Sequence, residues 1–493
     1  MDKPRVIFSY FVFCAGILAL GACVKLGPEY GAPDLGATVP SSYQQADRES
    51  AMPGLDDRWW ESFHDPQLNR LVEEALANNW DIKKATSRVL EVRSLVAQAH
   101  AERLPRFDLQ AQAQKQRQAS AGPFGTTPSR KTTRSHVLSI PASFEIDLWG
   151  RLARAEEAAR GNLVKAEEDR RTIAQSIVAE TITLYLQIES LERRIQITEE
   201  SIRSYRLSLE VVENRYRRGL TSVLDVRQAR RLLAQTEASL PALRQQLGTL
   251  QQRLAVLVGR YPETRPARTH SADYFKQLEP VPPGLPSELL KRRPDIRASE
   301  ALLVALNAQI GIAKANRFPR ISLTGSYGYS SDELAELLNP ASEFRRIAAG
   351  LLMPLFDGGK LKAAQRAAEA RYRQGLADYA KSLLNAFSEV ESALLTRREQ
   401  LERRKKILEF LAEARATQQV AQSRYMKGLV NYINVLDAQQ TRFQAEQNLV
   451  AADLDLLTNR VNLYRALGGG WGDPGPVPSD RNSEKRATKD GVP

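Results

Sequence analysis

The chain has 493 residues, of which 70 are basic and 58 acidic, giving a net charge of +12. These charges are interspersed along helix-like stretches, a pattern typical of solvated helical faces that does not favour a nucleic-acid partner. Only Cys14 and Cys23 occur, which argues against a disulfide framework and a cysteine-ligated metal site. The four histidines show no repeated ligand spacing and no phosphate-cradling glycine loop precedes a helix, so we predict no enzyme, no metal site and no bound cofactor.

The N-terminus is typical of an exported lipoprotein. A short basic region precedes an apolar stretch from Val6 to Leu20, which is shorter than the roughly 20 residues of a membrane-spanning helix. Small residues then lead into Cys23, as in a lipobox, so we predict a signal peptide at 1–22 and diacylglyceryl and N-acyl lipid on Cys23. An ordinary signal with an incidental cysteine is the alternative. The next residue is Val24 and not the aspartate that, by resemblance to bacterial lipoproteins, favours the inner membrane, which indicates the outer membrane.

The chain repeats itself. The run RLPRFDL at Arg103 returns as RFPRISL at Arg317, and RYRRGL at Arg215 returns as RYMKGL at Arg424. A duplication of this size predicts one pseudo-symmetric body built from an internal two-fold repeat. The predicted segments are an acylated tether at 23–57, a first repeat at 58–260, a linker at 261–284, a second repeat at 285–467 and a disordered tail at 468–493.

Each repeat is predicted to contain two one-sided strands, because apolar residues alternate with polar or small ones. The strands are placed near 107–117, 135–147, 320–330 and 344–356. Each has about ten residues, the length of a tilted strand that crosses a bilayer. Since a membrane barrel needs about eight strands, four per chain predict an oligomer, and a trimer would supply about twelve. A small soluble sheet packed on helices is the alternative.

A very long helical hairpin follows each strand pair. No proline interrupts the chain from Leu152 to Arg218, so about 67 residues can form one helix of roughly 100 Å at ~1.5 Å per residue. The second half repeats this plan from Leu361 to Lys427 and from Asn431 to Ala466. These elements predict a mainly α protein with a β part that crosses a membrane.

The hairpins are predicted to be antiparallel coiled coils. Ile195, Ile202, Leu209 and Tyr216 are spaced seven residues apart, which places them in one apolar seam. Gly219 and Gly428 stand where each hairpin must reverse, because glycine tolerates the left-handed conformation of a helix cap.

The resemblance to a known family rests mainly on a stretch that begins at Leu285 and reads LPSELLKRRPDIRASEALLVALNAQIGIAKANRFPRISLTGSYG. It resembles the signature of outer-membrane efflux proteins, in the NodT/OprM-like branch of lipidated, TolC-like outer membrane factors that serve RND multidrug pumps. Supporting runs are WWESFHDPQLNRLVEEALANN from Trp59, FEIDLWGRLARAEEA from Phe144, PLFDGGKL from Pro354 and GLVNYINVLDAQ from Gly428.

The resemblance implies a homotrimer with a 12-stranded barrel in the outer membrane, continued by a periplasmic α-barrel of packed helices. Such a trimer would passively conduct small molecules such as drugs. Its partners would be a periplasmic adaptor protein, an inner-membrane RND-type transporter and outer-membrane lipids. The alternatives are a structural periplasmic coiled-coil lipoprotein and an outer-membrane duct for metal or protein export.

A gate at the helical tips is also implied by the resemblance. In the family, a tyrosine three residues before the second glycine bonds to an aspartate six residues after the first, and the matching residues here are Tyr425 and Asp225. A charge-assisted link of about 1.5–3 kcal/mol is weak enough for a partner to break. Alternatively, Tyr425 belongs to the apolar seam and Asp225 is a charge at a helix N-terminus.

Three further tip residues occupy positions of the family pattern, and two of them depart from it. The acidic positions six and nine residues after the second glycine are Asn434 and Asp437, so one carboxylate is replaced by an amide. The position two residues after that glycine, often acidic in lipidated relatives, is Val430. We therefore expect a tip closed by apolar and amide groups, with weaker attraction for cations.

Overall fold

The structure is a computed structural model that describes residues 25–33, 43–45, 58–120, 129–264, 281 and 292–469. The predicted signal peptide, Cys23, and most of the predicted tether, linker and disordered tail lie outside the described residues.

Long helices dominate the described part of the chain. The α-helices there are α1 (Pro66–Asn78), α2 (Trp80–Ala101), α3 (Arg151–Arg217), α4 (Val223–Leu257), α5 (Pro294–Ala315), α6 (Lys360–Met426) and α7 (Tyr432–Ala466). Helices α3 and α6 each have 67 residues, and α4 and α7 each have 35. The two long helices thus begin and end one residue before their predicted bounds. The start of α1 is fixed by Asp65, whose side chain accepts hydrogen bonds from two amides of the first turn.

The coiled-coil prediction is correct for most of the first hairpin. Ile188, Leu191 and Ile195 of α3 pack against Leu243 and Leu247 of α4 in one buried cluster. Ile202, one heptad later, is also buried.

The seam ends before Tyr216, which the seven-residue spacing placed in it. Tyr216 is 46% exposed, because α3 ends one residue later and the chain turns away.

One antiparallel sheet contains all the described strands. These are β1 (Arg106–Phe107), β2 (Gln110–Ser120), β3 (Ser129–Ile146), β4 (Arg320–Ser331) and β5 (Glu343–Leu352). Strands β1 and β2 both pair with β3, β3 pairs with β4, and β4 pairs with β5. The sheet therefore has four rows of strands, as predicted.

The strand bounds differ from the prediction for identifiable reasons. Strand β3 begins at Ser129 instead of near residue 135, because its first residues pair with the second half of β2 although the sequence there has no apolar alternation. Between β1 and β2, the amide of Asp108 donates to the carbonyl of Pro141. Because Pro141 has no amide hydrogen to donate in exchange, the strand pairing is interrupted there. Strand β5 ends at Leu352, short of the predicted 356, because Pro354 cannot donate to the ladder.

The register of the sheet gathers the predicted apolar residues on one face. Ile140 lies opposite Tyr327, and Phe144 lies opposite Leu323, across β3 and β4. Exposed fractions of 46% for Ile140, 44% for Tyr327 and 85% for Ile347 show that this face is uncovered. The sheet thus presents apolar side chains outward, the arrangement that a lipid-facing strand requires.

The chain folds into two compact units, and each draws on both halves of the sequence. The first comprises the described residues of Met1–Leu35, Val89–Ala166 and Ala298–Ala380, and it contains the sheet. The second comprises the described residues of Gly36–Arg88, Glu167–Arg297 and Lys381–Pro493, and it contains both hairpin turns. Helix α5 is the one described helix that is long and apolar enough to cross a membrane, and half of that segment is buried inside the protein, as in a core helix.

Candidate functional site at the hairpin tips

The two hairpin turns close with the same backbone geometry. Gly219 and Gly428 have φ angles of +71° and +75°. The amide of the next residue, Leu220 or Leu429, donates to the carbonyl five residues earlier at 2.9 Å in both turns. Each glycine amide donates to the carbonyl three residues earlier, at 2.8 and 2.9 Å. This is the Schellman motif, whose left-handed residue glycine adopts without steric cost, so the predicted role of both glycines as helix caps is confirmed.

A capping box follows the first turn. Ser222 Oγ accepts the Asp225 amide at 3.3 Å, and Asp225 Oδ2 accepts the Ser222 amide at 3.4 Å. The same carboxylate oxygen accepts a hydrogen bond from the hydroxyl of Thr221. The negative charge of Asp225 lies in the first turn of α4, where the helix dipole stabilises it. Asp225 therefore caps α4, which is the second of the two roles that the sequence left open.

Tyr425 is buried beside Thr221. Its hydroxyl donates to Thr221 Oγ1 at 3.4 Å, and Thr221 in turn donates to Asp225. The structure thus connects Tyr425 to Asp225 through Thr221, and the direct bond expected between them is not formed. The threonine hydroxyl both accepts and donates, so it can lie between the phenol and the carboxylate. Because 3.4 Å is long for an O–H···O bond, this link is weak and burial contributes most to holding Tyr425.

Arg215 lies against the ring of Tyr425. Its guanidinium carbon is 4.9 Å from the ring centroid, and its Nη1 donates to the carbonyl of Met426 at 3.4 Å. A cation–π contact of this kind contributes about 0.5–2 kcal/mol, depending on desolvation. Sequence reasoning missed both Arg215 and Thr221. The repeated RYxxGL run places an arginine beside a tyrosine, but only the packing of the two hairpins shows which tyrosine this arginine covers.

Below the turns, both hairpins share a buried tip core. Its members are Tyr205, Val212, Val226, Ala229, Leu232, Tyr425, Tyr432, Val435 and Leu436. The rings of Tyr425 and Tyr432 have centroids 5.2 Å apart. Burial raises the pKa of the Tyr205 hydroxyl to about 12, and burial together with Tyr425 and Asp225 raises the pKa of Tyr432 above its ordinary value. These phenols therefore stay neutral at physiological pH, as an apolar core requires.

The three remaining predicted tip residues differ in how far their side chains are buried. Val430 is partly buried and packs against the tip core. Asn434 is exposed, and its side-chain amide donates to the carbonyl of Asn431 at 3.3 Å. Asp437 is exposed on the same helix one turn further on. An amide and a carboxylate thus face outward near the second turn.

Each turn also exposes apolar side chains. Leu220 and Leu224 are 59% and 60% exposed at the first turn, and Leu429 and Ile433 are 62% and 48% exposed at the second. They occupy matching positions in the two hairpins, one and five residues after the glycine. A repeated exposed apolar surface of this kind is typical of an interaction site.

Comparisons with known proteins agree with these features. The sequence model described as "Outer membrane efflux protein" matches twice, at residues 71–260 and 285–469. The chain is 32% identical over 465 residues to the pyoverdine export outer membrane protein OpmQ of Pseudomonas putida, covering 93% of this chain and 97% of OpmQ. It is 32% identical over 460 residues to the cation efflux system protein CusC of Escherichia coli, covering 93% and 98%.

A solved structure of the outer-membrane channel OprN superposes with a TM-score of 0.83 at 30% identity, covering 91% of this chain and 99% of OprN. The matched ranges include every described strand and, apart from the first five residues of α1, every described α-helix. The fold is thus that of TolC-like channels, and the relatives are outer-membrane transport channels, which are not enzymes. The chain is therefore a member of the outer membrane efflux protein family, an outer membrane factor located in the outer membrane.

Proposed function

We propose that the chain forms a homotrimer that serves as the exit duct of a tripartite efflux pump. The observation that carries this proposal is the exposed apolar face of the sheet, which spans β3 and β4 and continues on β5 at Ile347, Ala349 and Leu351. Within the described residues, the outer sides of β2 and β5 have no strand partner. Open strand edges are not tolerated in hydrocarbon, so the edges must pair with other copies. Three copies would close a barrel of about twelve strands.

The long helices support a duct that extends into the periplasm. A helix of 67 residues is roughly 100 Å long at ~1.5 Å per residue, about three times the thickness of a bilayer core. Its charged faces exclude it from lipid. We infer that these helices form the periplasmic α-barrel, and that lipid on Cys23 anchors the chain to the same membrane.

The gate is proposed to lie at the hairpin tips. Tyr425 joins the second hairpin to the first by its contact with Thr221, by its stacking against Arg215 and by its place in the tip core. A partner that separated the hairpins would have to break these contacts, each worth only about 0.5–2 kcal/mol apart from the burial. The exposed Asn434 in place of a second carboxylate lowers the negative charge near the aperture.

The family supports a proposal for the partners and the cargo. The exposed Leu220, Leu224, Leu429 and Ile433 offer an apolar surface to a periplasmic adaptor, and an inner-membrane RND-type transporter would supply the energy. The relatives named above export pyoverdine in one case and cations in the other, although they resemble this chain equally. We therefore propose that this duct passes small molecules such as drugs, and that the transporter selects them.

The barrel is tested by charge placed on either face of β3. Ile140→Arg puts a cation on the apolar face, at an expected cost of about 2–4 kcal/mol in lipid, and Ser143→Arg puts it on the opposite, exposed face. Ser139 is a poor control because it is only 5% exposed. We expect Ile140→Arg to abolish trimers in detergent and Ser143→Arg to preserve them. Equal assembly of both variants would point to a soluble sheet.

A further inference from the structure

A cavity of about 430 Å³ lies in the unit that contains the sheet. It is bounded by the C-terminal end of α2, the first third of α3 and the middle of α5. Small and apolar side chains form part of its wall, including Val164, Ala301 and Val304. The rest is lined by charged side chains: Lys25, Arg103, Arg160, Glu156 and Glu157.

The two carboxylates of this cavity already have cationic partners. Glu156 is 3% exposed and accepts a hydrogen bond from Arg103 Nη1 at 2.5 Å, a second from Arg160, and contacts His100 Nδ1 at 3.2 Å. The bond from Arg103 holds the pKa of the Glu156 carboxyl below its usual value. Glu157 accepts two hydrogen bonds of 2.9 Å from the fully buried Arg154.

The three cations of the cavity keep unused donors. Arg103 and Arg160 each use a single nitrogen on Glu156, although a guanidinium carries five N–H groups. Lys25 Nζ lies 3.8 Å from the nearest carboxylate oxygen, of Glu157. Their side chains are 43%, 66% and 51% exposed, so their free donors can reach a ligand. Two forked guanidinium groups and one ammonium around a cavity suit the oxygens of a phosphate.

The position of Lys25 in the chain indicates where the phosphate comes from. Lys25 is two residues after Cys23, and two residues span at most about 7 Å. If Cys23 is acylated as proposed, its backbone lies within about 7 Å of that of Lys25, so the attached acyl chains begin near this side of the cavity. The apolar wall formed by Val164, Ala301 and Val304 would then lie beside the start of a lipid tail.

We infer that this cavity binds the phosphate of an anionic phospholipid headgroup, held by Lys25, Arg103 and Arg160. The choice of a lipid over free phosphate rests on the lipid anchor of the proposed function. The binding itself does not depend on transport.

The test is native mass spectrometry of the purified, lipidated protein with phosphatidylglycerol or phosphatidylcholine. We expect phosphatidylglycerol to be retained at least about fivefold better. The combined variant Lys25→Ser, Arg103→Gln, Arg160→Gln should reduce this retention to the level of phosphatidylcholine. The control Lys362→Ser, Arg366→Gln, Arg371→Gln removes the same charges from exposed positions of α6 and should change it less than about twofold.

A fourth substitution protects the test from misfolding. Since Arg103 and Arg160 neutralise the buried Glu156, the combined variant is also made with Glu156→Gln, which leaves no unpaired buried charge. Equal phosphatidylglycerol retention by the pocket variant and the control would overturn the inference. Binding of inorganic phosphate without preference for phosphatidylglycerol would overturn the assignment to lipid. A protein that binds phosphatidylglycerol yet forms no channel would refute the proposed function alone.

Discussion

The two hairpin tips have the same backbone but different side-chain roles. Both turns close on a left-handed glycine between helices of 67 and 35 residues. A tyrosine stands three residues before each glycine, yet Tyr216 is 46% exposed and Tyr425 is 6% exposed in the tip core. Six residues after each glycine stands an acid in the first tip, Asp225, and its amide counterpart in the second, Asn434.

This difference shows how a repeated backbone can carry a contact that is not repeated. The first tip is stabilised by its own capping box at Ser222, whereas Asn431, the N-cap of α7, makes no side-chain capping bond. The second tip is therefore stabilised more by its packing against the first hairpin. Tyr425 is one of the side chains that pack the second tip against the first, through its contacts with Thr221 and Arg215.

The largest expected difference comes from the two tyrosines. Tyr425→Ala removes a buried ring and should lower the free energy of local opening at the tips by about 3–5 kcal/mol, while Tyr216→Ala should lower it by less than about 1 kcal/mol. Native-state hydrogen exchange of the first turns of α4 and α7 measures this opening. Equal effects would mean that the buried position of Tyr425 has no energetic consequence.

Substitution of the glycines should affect the two tips equally. Gly219→Ala and Gly428→Ala should each cost about 1–2 kcal/mol, because both positions have positive φ and a Cβ at either would meet open space. The same hydrogen-exchange experiment reports each cost separately. A cost at one tip only would contradict the finding that the two turns are equivalent.

Exchange of the acid and the amide should weaken one tip and stabilise the other. Asp225→Asn removes the charge from the capping box and should cost about 1 kcal/mol, while Asn434→Asp adds a charge to the first turn of α7 and should gain about 0.3–1 kcal/mol. Both effects should shrink in high salt. A gain from both substitutions would rule out the capping role of Asp225.

The smallest effect at neutral pH is expected from the buried phenols. The pKa of Tyr205 is raised to about 12 from 10.0, so the folded tip retains its proton where the unfolded chain loses it. The stabilisation is fully present below pH 10 and is lost as the pH rises towards 12. Protection of the tip amides should fall over that range, and Tyr205→Phe should reduce the fall. A fall unchanged by Tyr205→Phe would assign it to other groups.

The sequence predicted the regular elements better than the contacts between them. The absence of proline from 152 to 218 and the glycines at 219 and 428 are local signals, so α3 and both turns lie within a residue of their predicted places. The first residues of β3, which pair with the second half of β2, show no apolar period, so the sequence does not predict them as a strand.

At the tips, their sequence positions identify Tyr425 and Asp225 as candidate gate residues. The sequence does not predict that Thr221 links them by hydrogen bonds. Thr221 and Arg215 contact Tyr425 because two hairpins that are about 200 residues apart in sequence pack together. No local pattern separates the buried Tyr425 from the exposed Tyr216, since both stand in the same RYxxGL frame.

Single-channel conductance of the purified, lipidated protein in planar bilayers, with its mass in detergent, tests the account most directly. The account predicts a trimer of small conductance that rises when Tyr425→Ala and Asp225→Ala are combined, because the buried ring of Tyr425 holds the two tips together. The control Tyr216→Ala, at the equivalent but exposed position of the first tip, should leave it unchanged. An unchanged conductance in the first variant would contradict a gate at Tyr425, and a monomer without conductance would contradict the duct itself.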